Sequence, residues 1–525
     1  MNKTSGTGDT ESAAGLFSDA KVILQSLFPD AQIISPKRLF VVFVGSAAFA
    51  ARFIFARLHS NVSDAIFCRD RYRTGRQLAF FLRSGGMQDG ATEVRRLHML
   101  RDKTATTSTV FRPHVVIVGA GFGGLSAALG LAGAAADVTV VDRRNYHLFQ
   151  PLLYQVATAG LSPAQIASPI RAILRRASNV RVVLGKVSGV DKERRTVAVE
   201  DRILAYDYLV LATGARHSYF GREEWETVAP GLKKIDDATT IRRRILGAFE
   251  SAEATESSVL RRQLLTFIVI GGGPTGVEMA GAIAELARVA LRRDFRNIDP
   301  RDARIILVES GQRLLAAFPE SLSAAARRSL EKLGVEVRLG TAVSKCDVDG
   351  VTVGNEKLET TTIIWAAGVA ASAAAHWLGA EKDRLGRVMV GPSLSLPGYP
   401  EIFCIGDTAH VSGQDGKPLP GLAPIAKKQG AYVARLLQSR LAGRNEPPPF
   451  RYRSWAKLAT IGRRAAVADF GWIKLRGTIA WFLWGLIHVW FLIGFRNRLV
   501  VMLDWLWSYV TFQSGARLIT GPGSH

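Results

Sequence analysis

The stretch Val115–Gly124 constrains this chain most, because VVIVGAGFGG is an apolar run, a glycine-rich turn and the start of a helix-like run over 125–133. That order predicts a β-strand, a tight loop and an α-helix whose first N–H groups face the phosphates of a dinucleotide. Gly119 permits the turn, Gly121 lets backbone approach a pyrophosphate, and Gly124 lets the helix pack on the strand.

The acid that ends the next apolar run strengthens this prediction. Residues 137–141 lead into Asp142, which follows Gly119 by 23 residues. A carboxylate at this spacing can accept hydrogen bonds from both hydroxyls of an adenosine ribose. A glycine fingerprint alone is weak, and an ordinary glycine turn is the alternative; strand, helix and acid together make the signal specific.

A second unit of the same kind follows. Residues 267–270 run into GGGPTG over 271–276 and then into a helical run over 277–289. The three glycine roles fall on Gly271, Gly273 and Gly276. The next strand is delayed by a charged insertion and ends in Glu309. With no arginine immediately after it, this acid favours NADH over NADPH, because a carboxylate repels a 2′-phosphate.

Two such units imply two dinucleotides, most simply one tightly held flavin and one exchangeable nicotinamide. Each unit is followed by a strand entering a small-residue turn, LVLATG over 209–214 and IIWAAG over 363–368. A later strand, IFCIGD, ends in Asp407, placed to bind the ribityl chain of a flavin. The predicted fold class is therefore α/β: two Rossmann-like dinucleotide-binding domains, one for FAD and one for NADH, plus a C-terminal amphipathic, membrane-anchoring helical region.

The charge of the chain indicates an anionic partner surface. Its 525 residues carry a formal net charge of +23, and 48% of them are hydrophobic. Such a balance suits nucleic acid or phospholipid, and a generally basic soluble protein is the alternative. No nucleic-acid-binding motif occurs, and the aromatic-rich C-terminus favours lipid.

The cysteines argue against several redox and metal chemistries. Cys68, Cys346 and Cys404 are far apart and form no CxxC motif. This argues against a disulfide framework, an iron–sulfur cluster and a redox-active dithiol. Motifs such as HExxH are absent, and we predict no metal site.

The composition of the C-terminal region predicts that it binds a membrane surface. Residues 472–512 hold six tryptophans, and the apolar runs 479–495 and 499–512 are bordered by lysine and arginine. The first run is marginal for a full span, so two interfacial helices fit better, with a soluble core helix as the alternative.

Residues 1–112 carry no recognisable chemistry. We expect a poorly ordered arm over 1–34 and a basic linker over 69–103. The strongly apolar segment 39–58 is a surface helix, a single span or an unneeded extension. Met87 and Met99 leave the start of the working protein open.

These patterns divide the chain into five parts. They are an N-terminal extension (1–112), a first FAD-binding part with a connector (113–262), an NADH-binding domain (263–390), a second FAD-binding part (391–450) and a membrane-associated region (451–525).

Longer blocks carry a family resemblance. From about residue 113 to 521 the chain resembles the type II NADH:quinone oxidoreductases, the single-subunit NADH dehydrogenases of bacterial respiratory membranes that pump no protons. The blocks are RNYHLFQPLLYQVATAGLSP (144–163), LATGARHSYFGREEW (211–225), PGLAPIAKKQG (420–430) and LATIGRRAAVADF (458–470). They are more specific than the glycine fingerprints, which related two-dinucleotide flavoproteins share.

The resemblance implies the cofactor contacts. The positions matching FAD contacts are Gly119, Gly121, Gly124, Asp142, Arg143, Lys186, Val187, Thr213, Gly214, Asp407, Ala423, Pro424 and Ile425. Those matching NADH contacts are Gly271, Gly273, Gly276, Glu309 and Gly368. The helix that starts at Ala423 would place its positive N-terminal end near the flavin.

The resemblance also implies three catalytic candidates. Glu278 would lie beside the nicotinamide–flavin stack, although a first-turn acid favoured by the helix dipole is the alternative. Gln429 and Lys428 would lie near the quinone. The family usually has glutamine at position 428, so Lys428 leaves the quinone preference open and could instead point to solvent. Tyr154 and Gln155 would lie near the flavin, or Tyr154 belongs to an aromatic core.

The implied function is transfer of a hydride from NADH to FAD, then of two electrons from reduced FAD to a membrane quinone. The implied location is peripheral, on the cytoplasmic face of the inner membrane at an anionic phospholipid surface. Whether segment 39–58 adds a second membrane contact stays open. A homodimer stays open. The alternatives are a sulfide:quinone or ferredoxin reductase of the same architecture and a membrane-attached redox sensor.

Overall fold

The computed structural model describes residues 112–414, 416–453, 456–511 and 516–521, together with two short strands near the N-terminus. Those strands, Ala31–Ile33 and Val41–Phe43, pair antiparallel within a unit that ends at Thr107. Apart from them, the predicted N-terminal arm, apolar segment and basic linker lie outside the described residues. All other described elements belong to the unit 108–525.

The first sheet of this unit has six strands. In spatial order they are Ser395–Leu396, Tyr399–Cys404, Tyr208–Leu211, His114–Val118, Asp137–Asp142 and Val180–Leu184. Neighbouring strands are parallel except for the first pair. The central strand buries all of Val115–Val118, as expected for a parallel sheet covered on both faces.

The second sheet has four strands, all parallel. In spatial order they are Val335–Leu339, Arg304–Glu309, Thr266–Ile270 and Thr362–Trp365. Each fingerprint strand lies inside its own sheet, so the predicted pair of Rossmann-like units is confirmed.

Twelve α-helices are described, numbered here in chain order. They are α1 Phe122–Gly130, α2 Leu153–Ala157, α3 Pro163–Ile166, α4 Ile170–Leu174, α5 Ile235–Ala254, α6 Ser258–Leu264, α7 Pro274–Glu285, α8 Glu320–Lys332, α9 Ala374–Leu378, α10 Ala423–Leu441, α11 Thr478–Phe491 and α12 Phe495–Thr511. Helices α1 and α7 follow the two glycine loops directly.

Smaller sheets complete the fold. Three have three antiparallel strands each: Val187–Asp191, Thr196–Val199 and Arg202–Ala205; Val343–Asp347, Gly350–Val353 and Glu356–Glu359; Lys457–Gly462, Ala465–Asp469 and Lys474–Gly477. Three are two-stranded: Tyr146–Leu148 with Ala167–Pro169, Ala215–His217 with Val369–Ala371, and Val388–Met389 with Ala409–His410. We call the sheet that begins at Lys457 the C-terminal sheet.

The chain returns to the six-stranded sheet soon after Ala371. Ala374, Leu378 and Val388 pack in the same hydrophobic core as the first sheet. This return precedes residue 391, where the sequence analysis placed the second FAD-binding part.

The last two helices, α11 and α12, expose a broad apolar surface. We call it the apolar C-terminal face; its exposed residues are Ile479, Phe482, Leu486, Trp490, Phe495, Leu499, Met502, Leu503, Leu506, Trp507 and Val510. The opposite side of α11 buries Ala480, Trp484 and Val489. Among the described residues, no helix combines the length and the apolar character needed to cross a bilayer.

Candidate functional site

The first glycine loop contains glycines that the packing of the protein requires and one that it does not. Gly119 has φ +99°, and a Cβ there would lie 2.4 Å from the carbonyl oxygen of Ala212. A Cβ at Gly124 would lie 1.8 Å from the carbonyl oxygen of Gly119, so the fold itself requires both glycines. A Cβ at Gly121 would meet nothing within 4 Å. Gly121 therefore keeps a space that the protein does not fill, as a pyrophosphate cradle requires.

The strand-end acid Asp142 braces this loop. It accepts hydrogen bonds from the backbone N–H of Ala120 at 2.7 Å and of Arg144 at 2.8 Å. Arg143 is exposed beside it. The predicted adenine segment lies at the same sheet edge, because the strand of Asp142 pairs with Val180–Leu184 just before exposed Lys186 and buried Val187.

A cluster of hydroxyls holds the turn predicted to cover the flavin. Thr213 Oγ1 lies 3.1 Å from Thr408 Oγ1 and 2.5 Å from Ser372 Oγ, and the N–H of Gly214 donates to Thr408 Oγ1 at 2.9 Å. Thr408 directly follows Asp407, so the turn is fixed to the acid that the sequence predicts to bind the ribityl chain. The sequence analysis missed Thr408 and Ser372; the position of Thr408 next to Asp407 was the available signal.

Helix α10 packs closely against α1. A Cβ at Gly430 would lie 2.0 Å from the carbonyl oxygen of Gly123. Gln429 is 2% exposed, and its Oε1 accepts from the N–H of Gly406 at 2.6 Å. Asp407, Ile425 and Gln429 line one small cavity. The predicted helix start at Ala423–Ile425 and the predicted residue Gln429 therefore lie together with Asp407.

Lys428 lies elsewhere. It is exposed, and its Nζ lies 5.3 Å from the ring centroid of Tyr452. It lines a surface groove with the segment Pro447–Arg451. Successive helical residues differ by about 100° in direction, so Lys428 and Gln429 face different surroundings, and the structure does not bring Lys428 into the cavity that Gln429 lines.

A buried histidine adds a feature that the sequence analysis did not assign. His147 is 2% exposed, and its Nδ1 lies 2.8 Å from the carbonyl oxygen of Ala120 in the first loop. Burial lowers the pKa of His147, so the ring is neutral and Nδ1 carries the donated proton. Nε2 is then a buried acceptor without a partner among the described residues. An unsatisfied acceptor beside an open loop suits a ligand rich in hydroxyls, such as FAD.

The second glycine loop repeats the first. Gly271 has φ +112°, a Cβ at Gly276 would lie 1.8 Å from the carbonyl oxygen of Gly271, and a Cβ at Gly273 would meet nothing within 4 Å. Glu309 accepts from the N–H of Gly272 at 2.5 Å and of Gly311 at 2.6 Å. Despite its longer spacing in sequence, Glu309 occupies the position that Asp142 has in the first unit.

Gly368 lies at the rim of the second unit, just beyond the strand Thr362–Trp365. A Cβ there would lie 2.7 Å from the ring of Phe220. Phe220 is 68% exposed with φ +55°, and its ring lies tilted against Trp365. Gly368 thus leaves room for an exposed aromatic ring next to the second loop's sheet.

Glu278 is the most strongly perturbed carboxyl group in this region. Burial raises its pKa from 4.5 to about 8, against a hydrogen bond from the backbone N–H of Thr460. Part of its surface nevertheless remains accessible. Because its pKa lies near neutrality, Glu278 can hold or release a proton under physiological conditions.

The C-terminal sheet covers α7 and fixes Glu278. A Cβ at Gly281 would lie 1.7 Å from the carbonyl oxygen of Ile461, so strand Lys457–Gly462 crosses α7 in direct contact. One turn further along, Glu285 accepts from the N–H of Arg463. The two carboxyl groups therefore bind Thr460 in this strand and Arg463 just after it, which connects α7 to the sheet preceding α11.

The cysteines in the described residues are unreactive. Cys346 and Cys404 are buried and free, and burial raises the pKa of each thiol to about 12. Cys68 lies outside the described residues. Within the described ranges, no group of three or more His, Cys, Asp or Glu side chains is arranged to hold a metal ion.

Known proteins match this architecture over most of its length. Residues 113–430 match the pyridine nucleotide-disulphide oxidoreductase family, and residues 456–511 match the NDH2 C-terminal domain. A type II NADH:quinone oxidoreductase of Mycobacterium tuberculosis is 43% identical over 424 residues, which cover 78% of this chain and 90% of that protein.

Two solved structures share the fold. NDH2 of Plasmodium falciparum in complex with NADH has a TM-score of 0.71 at 20% identity, covering 78% of this chain and 100% of that chain. The sulfide:quinone oxidoreductase of Aquifex aeolicus has a TM-score of 0.56 at 18% identity, covering 78% and 96%. With both family models matched and a relative at 43% identity, the chain belongs to the type II NADH:quinone oxidoreductase family.

Proposed function

We propose that this protein oxidises NADH and reduces a membrane quinone, with FAD bound at the first glycine loop and NADH at the second. The observation that carries the proposal is the duplicated loop, in which Gly121 and Gly273 each keep an open space beside a braced acid. The Mycobacterium tuberculosis relative at 43% identity bears the name of this activity.

The residues of the first unit fit FAD. The loop around Gly121 binds the pyrophosphate, Asp142 the adenosine ribose, and Asp407 the ribityl chain. His147 offers Nε2 to a ribityl hydroxyl, and the first turn of α10 directs its backbone N–H groups toward the anionic edge of the ring. When bound, FAD supplies the two-electron carrier that accepts a hydride and reduces a quinone.

The remaining predicted contacts complete this assignment. We assign Arg143, Lys186 and Val187 to the adenine side of FAD and the turn Thr213–Gly214 to the flavin side. Gly368 belongs to the NADH side, next to Phe220.

The residues of the second unit fit NADH. The loop around Gly273 binds its pyrophosphate, and Glu309 binds the ribose hydroxyls and excludes a 2′-phosphate. Glu278 holds a proton near neutral pH and serves the proton balance of quinone reduction.

Gln429 is the residue we assign to the quinone side of the flavin. Its Oε1 is already used by Gly406, so its amide N–H groups remain to donate to a carbonyl oxygen. Replacing Gln429 with leucine should lower kcat/KM for quinone by about tenfold, the worth of one hydrogen bond. Lys428 faces the other groove, so Lys428→Gln should change kcat/KM for quinone less than twofold. A larger loss in Lys428→Gln than in Gln429→Leu would place Lys428 at the quinone site.

The apolar C-terminal face is the surface we propose to rest on an anionic phospholipid bilayer, at the cytoplasmic face of the inner membrane. Its large exposed side chains and the nearby Lys474, Arg476, Arg496 and Arg498 suit a headgroup region. Vesicles containing anionic lipid should bind the protein more tightly than neutral vesicles. The double change Leu506→Asp and Trp507→Asp should release it; unchanged sedimentation with vesicles would oppose this surface.

A homodimer is a separate part of the proposal, because a second copy could cover some of the same face. The mass of the detergent-extracted protein tests it. A monomer that retains full quinone activity would exclude a required dimer.

Spectroscopy tests the whole reaction. Under anaerobic conditions NADH should bleach the flavin absorbance of the purified protein, and a short-chain quinone should restore it. Sulfide should not bleach it, because Cys346 and Cys404 are buried and unreactive. Bleaching by NADH without reoxidation by quinone would favour the redox sensor over the dehydrogenase.

A further inference from the structure

A line of hydrogen bonds joins the C-terminal helix α12 to the short helix α2. Trp505 Nε1 lies 2.8 Å from Gln155 Oε1, and Gln155 Nε2 lies 2.8 Å from the hydroxyl oxygen of Tyr154. Trp505 and Gln155 are 350 positions apart in the chain, so only the folded structure brings them together. Tyr154 is 6% exposed, and the other two side chains are partly buried.

The chemistry of the three groups fixes the direction of these bonds. An indole N–H can only donate, so the atom of Gln155 that faces Trp505 must be its carbonyl oxygen. The amide NH₂ of Gln155 then faces Tyr154 and can only donate to it. The Tyr154 oxygen is thereby used as an acceptor, and its own O–H proton is left to donate elsewhere.

The surroundings of Tyr154 keep its hydroxyl group protonated. Tyr154 packs in one core with residues of α7, and burial followed by the negative charge of Glu278 raises its pKa well above 10. The phenol therefore stays protonated at any physiological pH and is a permanent donor.

An aromatic cluster leads from the C-terminal helices to this donor. The ring centroid of Trp484 lies 4.3 Å from that of His488, 5.6 Å from that of Trp505 and 6.5 Å from that of Tyr154. Burial lowers the pKa of His488 to about 4, so the cluster carries no charge. Tyr154 thus lies at the inner end of an uncharged aromatic cluster whose other members, Trp484, His488 and Trp505, belong to the two C-terminal helices.

We propose that Tyr154 donates a hydrogen bond to a carbonyl oxygen of the quinone, and that Gln155 and Trp505 are positioning residues that turn its hydroxyl proton toward the substrate. The inference rests on the proposed function, since it names a residue for the quinone half of that reaction. A donor at this oxygen stabilises the negative charge that develops there as the quinone takes up electrons. Through Trp505, docking of α12 sets the orientation of the donor.

The substitution Tyr154→Phe separates this role from packing. The ring is kept and only the donor is lost, so kcat/KM for quinone should fall about 10- to 100-fold. The rate of flavin bleaching by NADH should stay within twofold of the native rate. The control Tyr206→Phe removes another buried hydroxyl, 4% exposed and without a partner among the described residues, and should leave both rates unchanged.

The substitution Gln155→Glu tests the direction of the bonds. A carboxylate accepts from Trp505 and from Tyr154 alike, so the hydroxyl proton of Tyr154 would turn away from the quinone. The single variant should lose nearly as much quinone activity as Tyr154→Phe. The double variant Tyr154→Phe with Gln155→Glu should lose little more than either single variant, because both changes remove the same hydrogen bond from Tyr154 to the quinone.

Trp505→Phe should cause a smaller loss, since the amide of Gln155 is then free to rotate. Two results would overturn the inference in a protein that reduces quinone: native quinone kinetics in Tyr154→Phe, or equal losses in bleaching and reoxidation. Additive losses in the double variant would remove Gln155 from the positioning role. A native protein that bleaches but reduces no quinone would instead overturn the proposed function itself.

Discussion

The two glycine loops are nearly identical in backbone geometry but differ in what covers them. In each, a Cβ added at the third glycine would lie 1.8 Å from the first glycine's carbonyl oxygen. The first loop's helix, α1, is covered by α10 from the same unit, whereas α7 is covered by the C-terminal sheet. Helix α1 has no acidic residue, and α7 carries two largely buried carboxyl groups, Glu278 and Glu285, that accept hydrogen bonds from Thr460 and Arg463. The two loops therefore share one backbone geometry, while the elements packed on their helices differ; in our assignment this difference separates the FAD unit from the NADH unit.

The sharpest test of the comparison replaces the second glycine of each loop, Gly121 or Gly273, with alanine. Gly121→Ala should abolish copurified FAD, because the added methyl group enters the pyrophosphate space without touching protein. Gly273→Ala should leave the protein yellow and raise the KM for NADH at least tenfold. Flavin absorbance per protein and NADH titration measure the two effects. Equal flavin loss in both variants would mean that the loops are not specialised.

A second test displaces the covering elements. A methyl group at Gly430 or Gly281 would collide with backbone at 2.0 Å or 1.7 Å, and such overpacking costs about 1–3 kcal/mol. Gly430→Ala should loosen FAD. Gly281→Ala should spare flavin bleaching by NADH but slow reoxidation by quinone, since it shifts the sheet that precedes α11.

The matched control is Gly247→Ala in helix α5. A Cβ there meets nothing within 4 Å, and alanine is the better helix former. This variant should be as stable as the native protein or slightly more so. If Gly281→Ala behaves like Gly247→Ala, the contact between α7 and the C-terminal sheet carries no functional coupling.

The sequence predicted the parts of this comparison that are local. Gly119, Gly121 and Gly124, like their counterparts in the second unit, stand at fixed spacings, and Asp142 and Glu309 each follow an apolar strand. The delayed Glu309 does end the strand Arg304–Glu309 and binds the loop amides as Asp142 does. Its role at the ribose of NADH stays a prediction.

The covering contacts could not be predicted in the same way. The contact of Gly281 with Ile461 and the bond from Trp505 to Gln155 join positions far apart in sequence, and neither has a local pattern. Adjacent Lys428 and Gln429 show the same limit. A motif assigned both to the quinone side, and only the helix orientation separates exposed Lys428 from buried Gln429.

The buried carboxyl group that distinguishes α7 should make stability depend on pH. Folding raises the pKa of Glu278 from 4.5 to about 8, so the unfolded chain binds fewer protons and stability falls as pH rises between these values. Glu278→Gln should remove this loss and stabilise the protein by about 4 kcal/mol at pH 8 and by less than about 1 kcal/mol at pH 5.

Urea unfolding at the two pH values measures this effect. The exposed control Glu320→Gln on α8 should show no such pH dependence. A stability difference independent of pH would mean that Glu278 is ionised in the folded protein. If Glu278 supplies a proton to the quinone, Glu278→Gln should also slow the reoxidation of the flavin by quinone.

The smallest expected effect concerns the two strand-end acids, which are matched in geometry but not in ligand. Asp142→Asn and Glu309→Gln each remove one charge and one of two hydrogen bonds to loop amides, so their structural costs should be similar, about 1 kcal/mol. Only Glu309 repels a 2′-phosphate in our assignment. Glu309→Gln should therefore raise the NADPH/NADH ratio of kcat/KM about tenfold.

Asp142→Asn should weaken FAD binding and leave that ratio unchanged, because FAD has no competitor that differs at the 2′-position. Steady-state kinetics with both nucleotides, alongside flavin content, distinguish the variants. If Asp142→Asn changed the nucleotide preference and Glu309→Gln changed the flavin content, the two loops would have to exchange ligands. The C-terminal sheet would then cover the flavin unit, and the coupling of α7 to the membrane-facing helices would belong to the flavin rather than to NADH.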